Sequence, residues 1–129
     1  MRIIGGGGHA KVVRSMFPLW SDDYYFIAVG DNASRKKEAE FCPGPFAIIR
    51  HYSATIAYYV EIGEGTIICE TAVVQVGAVI GKHVIINAGA VITHDCVIGD
   101  YAHIAPGAHL SGRVHLGEGA LVGVRLRIE

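Results

Sequence analysis

A β-solenoid, a chain wound into a prism of short parallel strands, is the fold this sequence predicts, and three observations carry it. An aliphatic residue recurs at every sixth position: Ile56, Ile62, Ile68, Val74, Ile80, Ile86, Ile92, Ile98, Ile104, Leu110, Leu116 and Val122. Four places after each of them, up to Ala120, stands a second compact residue: Val60, Thr66, Ala72, Ala78, Val84, Ala90, Cys96, Ala102, Ala108, Val114 and Ala120. Gly63, Gly81, Gly99 and Gly117 each follow an aliphatic residue at an eighteen-residue interval. A period of six is neither helical nor simple strand alternation, and the Val/Ile richness favours short strands joined by sharp turns. Self-similarity at a fixed period marks a repeat architecture. Three hexads then make one coil of hexapeptide repeats, with the aliphatic residue plugging the interior. Residues eighteen apart stack at strand spacing, about 4.8 Å. The period leaves the hand of the coil open, and the general rule for parallel crossovers is right-handed.

Ahead of the hexads, Met1 to Ile4 reads as a strand running into the glycine turn Gly5, Gly6, Gly7, Gly8. Val12, Val13, Met16 and Phe17 follow at helical spacing, and Pro18 ends that helix because its ring clashes with the preceding turn. A second strand, Tyr24 to Val29, closes on Gly30-Asp31-Asn32, with Asn32 as cap of a helix from Ala33 to about Glu40. Cys42-Pro43-Gly44-Pro45 breaks it, and a third strand, Phe46 to Ile49, leads through His51-Tyr52-Ser53 into the first hexad. The order βαβαβ predicts a small Rossmann-like α/β lobe over residues 1–53, followed by the solenoid over 54–129. So short a lobe buries too little apolar surface to stand alone and leans on the first coils.

The glycine loop aligns with the dinucleotide fingerprint through Gly5, Gly7 and Ala10, and a helix N-terminus behind such a loop is an anion site. Three readings stay open: a loop facing a phosphate or sugar nucleotide, a dinucleotide site, and a structural turn. His9 is the polar side chain best placed to touch a ligand there, and equally suited to starting the helix.

With 51% hydrophobic and 18% charged residues the chain is too ordered in pattern to be disordered. A net charge of -1 argues against a nucleic-acid partner. The short basic clusters, Arg35 to Lys37 and Arg125 with Arg127, are expected to face solvent. The three cysteines, Cys42, Cys69 and Cys96, are odd in number and widely spaced, as in a reduced, cytoplasmic protein. No apolar run reaches membrane length, so membrane insertion is not expected.

Histidines are the main polar exceptions to the hexad pattern. His94 lies two places after inward Ile92 and directly before Asp95, and Gly112 lies one coil above it in the same column. A histidine, an adjacent carboxylate and a bare amide make the set for acyl transfer: general base, orienting acid and oxyanion donor. The other reading of His94 is a solvated outward side chain. His103 is half a coil from His94, on the opposite side of the prism, so the two cannot meet within one chain. The outward columns Ile67/Ile85/His103/Leu121, Val73/Val91/His109 and Val79/Val97/His115 carry much aliphatic surface. A homotrimer is therefore expected, with His94 of one chain facing His103 of the next.

The run from Ile86 through Thr93-His94-Asp95-Cys96-Val97-Ile98-Gly99-Asp100-Tyr101-Ala102-His103 to Gly112 closely resembles the left-handed β-helix acetyltransferases that modify bacterial surface sugars. These are the sialic acid O-acetyltransferase type and its sugar-nucleotide N-acetyltransferase relatives. Gly5 to Val13, Phe26 to Asn32 with Arg35, and Ile49 to Ala54 look like the same family. The resemblance implies a left-handed coil and acetyl transfer from acetyl-CoA to a sugar amine or hydroxyl by direct attack, without a metal. It makes His94 the general base and Asp95 its orienting acid. It further implies that Gly112 binds the thioester carbonyl of acetyl-CoA, that His103 is a second active-site histidine supplied by a neighbour, and that Asn87 is a polar residue close by. Gly5 to His9 match the part that receives the sugar or nucleotide.

Members of the family usually have further coils after the point where this chain reaches Val122 to Glu129, and a further strand and a loop with paired acids that contact the nucleotide where it has only Trp20-Ser21-Asp22-Asp23. The chain is thus expected to be short at its C-terminus. An incomplete acetyl-CoA site would leave a catalytically inactive trimeric scaffold, the alternative reading. A γ-type carbonic anhydrase is disfavoured because its zinc site needs a histidine at position 89, which is Gly.

Overall fold

The structure is a computed structural model that describes residues 1–16 and 22–129. The helix stop expected at Pro18, with Phe17, Trp20 and Ser21 around it, lies outside the described residues.

The N-terminal lobe begins with β1 (Arg2–Ile4), α1 (Gly8–Met16), β2 (Tyr25–Ile27) and α2 (Asn32–Phe41). β1 and β2 pair in parallel, with Ile3 opposite Phe26. The α1 helix starts inside the glycine run, earlier than the apolar spacing suggests, and turns Ala10 and Val13 inward. Asp31, rather than Asn32, caps α2: its carboxylate accepts from the Ser34 N–H at 2.9 Å, where a negative charge also complements the helix dipole. Asn32 is instead the first helical residue, and its Nδ2 donates to the carbonyls of Gly119 and Ala120. The third strand expected for a Rossmann-like sheet does not form. Phe46 makes one isolated parallel bridge to Tyr25, and the chain then leaves the lobe.

From β3 (Ile49–Arg50) to β16 (Arg127–Ile128), two-residue strands follow every six residues and wind into a parallel β-solenoid of about four turns. The first face holds β3, β6 (Ile67–Ile68), β9 (Ile85–Ile86), β12 (His103–Ile104) and β15 (Leu121–Val122). The second holds β4 (Thr55–Ile56), β7 (Val73–Val74), β10 (Val91–Ile92), β13 (His109–Leu110) and β16. The third holds β5 (Glu61–Ile62), β8 (Val79–Ile80), β11 (Val97–Ile98) and β14 (His115–Leu116). Every pairing has the eighteen-residue register read from the glycines, as in Val91 opposite His109 and His103 opposite Leu121. Three faces and a six-residue strand-and-turn repeat are consistent with the left-handed β-helix that the resemblance implies.

The inward aliphatic and small residues form one continuous core, from Ile68 through Ile86, Ile92 and Ile104 to Val122. Full burial of each such branched side chain contributes about 1.5–3 kcal/mol. A second core seats the lobe, with Ala10, Val13, Phe26 and Ala28 packing on Ile49, Ile67, Cys69 and Ile85 of the first face. Ile67 and Ile85 are therefore covered by the chain's own lobe, which takes the lower half of one of the three columns expected to pack between copies and leaves Leu121 at its top exposed. The second and third faces keep their outward columns, with Val79 and Val97 both exposed.

Arg35 departs furthest from expectation. It is 1% exposed, and its guanidinium ties lobe to solenoid. Nε donates to the His83 carbonyl at 2.8 Å, and Nη1 donates to the carbonyls of Val29 and Gly30, each at 3.0 Å. Nη2 donates to Asn32 Oδ1 and to the carbonyls of Tyr101 and Ala102. Burial lowers its pKa to about 10, so it stays charged at neutral pH. Three imidazoles share this surrounding. Burial and then the charges of His103 and Arg35 lower His9 to about 4, and burial chiefly, with Arg35 adding, depresses His83 and His103.

Replacing Arg35 by Met strips the donor from five buried or partly buried carbonyls and should cost about 3 kcal/mol in chemical denaturation, with little recovery in Arg35→Lys, whose single ammonium cannot span both sides. A histidine with its folded pKa below the unfolded 6.5 makes the folded state bind fewer protons, so its stabilising share is complete above pH 6.5 and shrinks as pH falls toward about 4. The midpoint temperature should accordingly drop between pH 6.5 and 4, and His9→Gln should flatten that dependence; an unchanged slope removes His9 from the group responsible.

Candidate active site

His94 and Asp95 occupy the corner between β10 and β11, where the chain turns from the second face to the third. Asp95 sits at φ 58, in the left-handed region that a short polar residue tolerates. This tight turn brings its carboxylate back to its neighbour: Oδ2 accepts from His94 Nδ1 at 3.0 Å. A proton held on Nδ1 leaves Nε2 with a free lone pair, the form required of a base. Both side chains are about half exposed, so the pair is open to a substrate.

One tier above, the imidazole lies against Gly112, as the eighteen-residue count predicts. A Cβ at position 112 would collide with the His94 ring at Nε2 and Cε1, so glycine is what lets the ring stand in the column. The main chain that carries the ring is fixed as well, because the Arg113 N–H donates to the His94 backbone carbonyl at 2.9 Å. Among the described residues, the Gly112 N–H makes no hydrogen bond and remains available as a donor. Base, orienting carboxylate and bare amide thus converge within one chain.

The remaining candidates form a second group. An edge of a triangular prism faces away from the third side, and His94 lies on the edge opposite the first face, where β12 carries His103. Asn87 Nδ2 meets His103 Nε2 at 3.1 Å, while Asn87 Oδ1 accepts from the Ala88 N–H at 2.8 Å and so sets which end of the amide faces the histidine. The Gly30 backbone lies close enough to His103 to favour its protonated form, against the larger effect of burial. His9, from the glycine loop, stands close enough to feel the charges of His103 and Arg35, and its Nε2 is buried with no hydrogen-bond partner among the described residues. Gly5 lies deeper, where a Cβ would strike the Ala28 carbonyl, while Gly6, Gly7 and Gly8 face open space. The loop therefore combines a packing role at Gly5 with an accessible rim.

Beside this group, a cleft of about 750 Å³ opens between the start of α2 and the solenoid, lined by Gly30, Asn32, Lys36, Tyr101, His103 and Glu118 among others. Lys36 Nζ and Glu118 pair across it at 2.7 Å. Sequence reasoning did not find this cleft, nor the Arg35 joint behind it. Their walls come from α2 and two coils far apart in the chain, and the only signal was the register that stacks Tyr101 over His83.

Residues 77–112 match the bacterial transferase hexapeptide family, described as six repeats. A comparison with curated protein sequences gives no significant match. Among solved structures, perosamine N-acetyltransferase from Caulobacter crescentus, a mutant in complex with CoA and GDP-perosamine, is 31% identical with a TM-score of 0.89, over 97% of this chain and 77% of that one. The acetyltransferase domain of PglB from Neisseria gonorrhoeae, in complex with acetyl coenzyme A, is 29% identical with a TM-score of 0.88, over 98% and 80% of the two chains. WeeI from Acinetobacter baumannii is 26% identical with a TM-score of 0.88, over 98% and 79%. Fold, hexad register and identity to the perosamine enzyme across most of both chains converge: this chain belongs to the hexapeptide-repeat bacterial sugar acetyltransferases, and it is an acyltransferase.

Proposed function

We propose that the chain transfers an acetyl group from acetyl-CoA to an amine or hydroxyl of a nucleotide-linked bacterial sugar, with His94 as general base. The observation that carries this reading is the His94–Asp95 contact at 3.0 Å directly beneath the bare amide of Gly112. The acyl donor supplies an activated thioester carbonyl. His94 Nε2 takes the proton of the acceptor as its nitrogen or oxygen attacks that carbonyl carbon. The Gly112 N–H donates to the oxygen that gains negative charge, and Asp95 holds the imidazolium. Collapse breaks the carbon–sulfur bond, and His94 returns the proton to the departing thiolate, leaving the base neutral for the next turnover. No acyl-enzyme is required. The perosamine enzyme binds CoA together with a sugar nucleotide, which favours an amine acceptor and weighs against an inert scaffold.

We further infer a homotrimer. The group around His103, Asn87 and the Gly5 to His9 loop lies on the side of the prism away from His94, so one chain holds only half of the site. A neighbouring copy that presents its His94 edge to this face completes it, and the exposed Val79 and Val97 beside that edge are apolar surface for the contact. On this reading residues 1–53 receive the sugar nucleotide, residues 54–129 carry the transferase chemistry, and the enzyme works in the cytoplasm, where acetyl-CoA is made.

His94→Ala should lower kcat at least 100-fold in a thiol-release assay with amino-sugar nucleotides while the fold persists by circular dichroism, within the range that a general base contributes; unchanged turnover takes the role away from His94. Light scattering at micromolar concentration should give three times the mass of the chain, and a stable monomer there would contradict the shared site.

A further inference from the structure

Position 119 is a gap in the outer surface of the solenoid. The corner column through it reads Gly65, His83, Tyr101 and Gly119 at eighteen-residue steps. The His83 and Tyr101 rings lie parallel, 5.3 Å apart with an interplanar angle of 6°. Phe46 meets His83 edge-on at 4.5 Å, and Arg35 holds the Tyr101 carbonyl. Tyr101 is thus a ring fixed from below. One tier up, Gly119 adds no side chain, and a Cβ there would have no heavy atom within 4 Å. The aromatic stack therefore ends at Tyr101, at a wall of the 750 Å³ cleft.

We propose that this cleft seats the acceptor sugar ring, with Tyr101 as its stacking platform and the Lys36–Glu118 pair as its polar rim. A pyranose has an apolar C–H face and a rim of hydroxyls or amines. The cleft offers a match for each. Tyr101 and the 68% exposed Leu121 are apolar, while Lys36 donates and Glu118 accepts at their edge. Lys36 Nζ lies over the Tyr101 ring, 5.9 Å from its centroid, so a sugar ring that stacks there moves the ammonium from the face to the rim, beside its partner Glu118. Position also selects the sugar over a nucleobase, because His103 lines the same cleft and the reacting atom has to lie where a second copy's His94 reaches it. The proposal rests on the reading of the chain as a sugar acetyltransferase, and it adds Tyr101, Lys36 and Glu118 as residues that determine the acceptor.

Saturation-transfer NMR on the full chain tests this without requiring turnover, using GDP-perosamine and UDP-linked amino sugars as probes and GDP, UDP and CoA as controls. The sugar-ring protons should receive the strongest saturation. Gly119→Asn, which fills the open tier with a residue that tolerates the φ of 70° there, should weaken sugar-nucleotide binding about 5- to 10-fold and leave CoA binding unchanged. Tyr101→Asn should do the same, and Tyr101→Phe should retain binding. Saturation confined to the base protons, no binding of any probe, or equal affinity in wild type and Gly119→Asn overturns the proposal. Acetyl transfer scores the enzyme reading separately: turnover with an unaltered KM in Gly119→Asn sinks the cleft alone, and sugar binding without turnover sinks the enzyme alone.

Discussion

The structure depends on one buried cation. The Arg35 guanidinium reaches two lobe carbonyls in one direction and three solenoid carbonyls in the other, so that a short α/β unit with a sheet of only two strands becomes a fixed part of the prism. Hydrophobic contact alone, through Val13 and Phe26 on Ile67 and Ile85, would hold the two together without setting their angle, because it is non-directional. Six hydrogen bonds in a planar fork do set it. The arrangement places the first turn of α2 over the fourth coil, creating the cleft and bringing Gly30 to His103.

The solenoid serves chemistry by its regularity. Each corner repeats the last one at a single strand spacing, so a side chain omitted in one tier leaves room for the tier below. This happens twice. The His94 ring fills the room at Gly112, and the column above Tyr101 stays open at Gly119. The first brings a base against a bare backbone amide, and the second leaves a space beside the Lys36–Glu118 pair. They lie at different corners, and that separation is what motivates a site shared between copies.

Much of the candidate site was legible because its geometry is a consequence of counting. Once the period of six was read, the stacking of Gly112 on His94 and the separation of His94 from His103 followed, and the structure has both. The misreadings came where the repeat stops. The Gly30-Asp31-Asn32 pattern points to Asn32 as the helix cap, but Asp31 offers its carboxylate to the Ser34 N–H. Arg35 looked like a member of a solvated basic run, since neighbouring lysines say nothing of carbonyls forty-eight and sixty-six residues away. Ile67 and Ile85 read as a surface for another subunit because alternation distinguishes inside from outside of a coil, and cannot tell which outside face the chain's own lobe covers.

By itself, then, the sequence determined the parallel coil, its eighteen-residue register, its inward core, and the placing of the His94–Asp95 pair under Gly112. Each of these depends on spacing along the chain, and a periodic backbone converts spacing into position. Only the tertiary structure decided how the lobe sits, which face it covers, and that a cleft lined by Tyr101, Lys36 and Glu118 opens beside His103. Those features arise where residues from unrelated parts of the chain meet through directional hydrogen bonds, and no local pattern encodes the partners of a buried guanidinium.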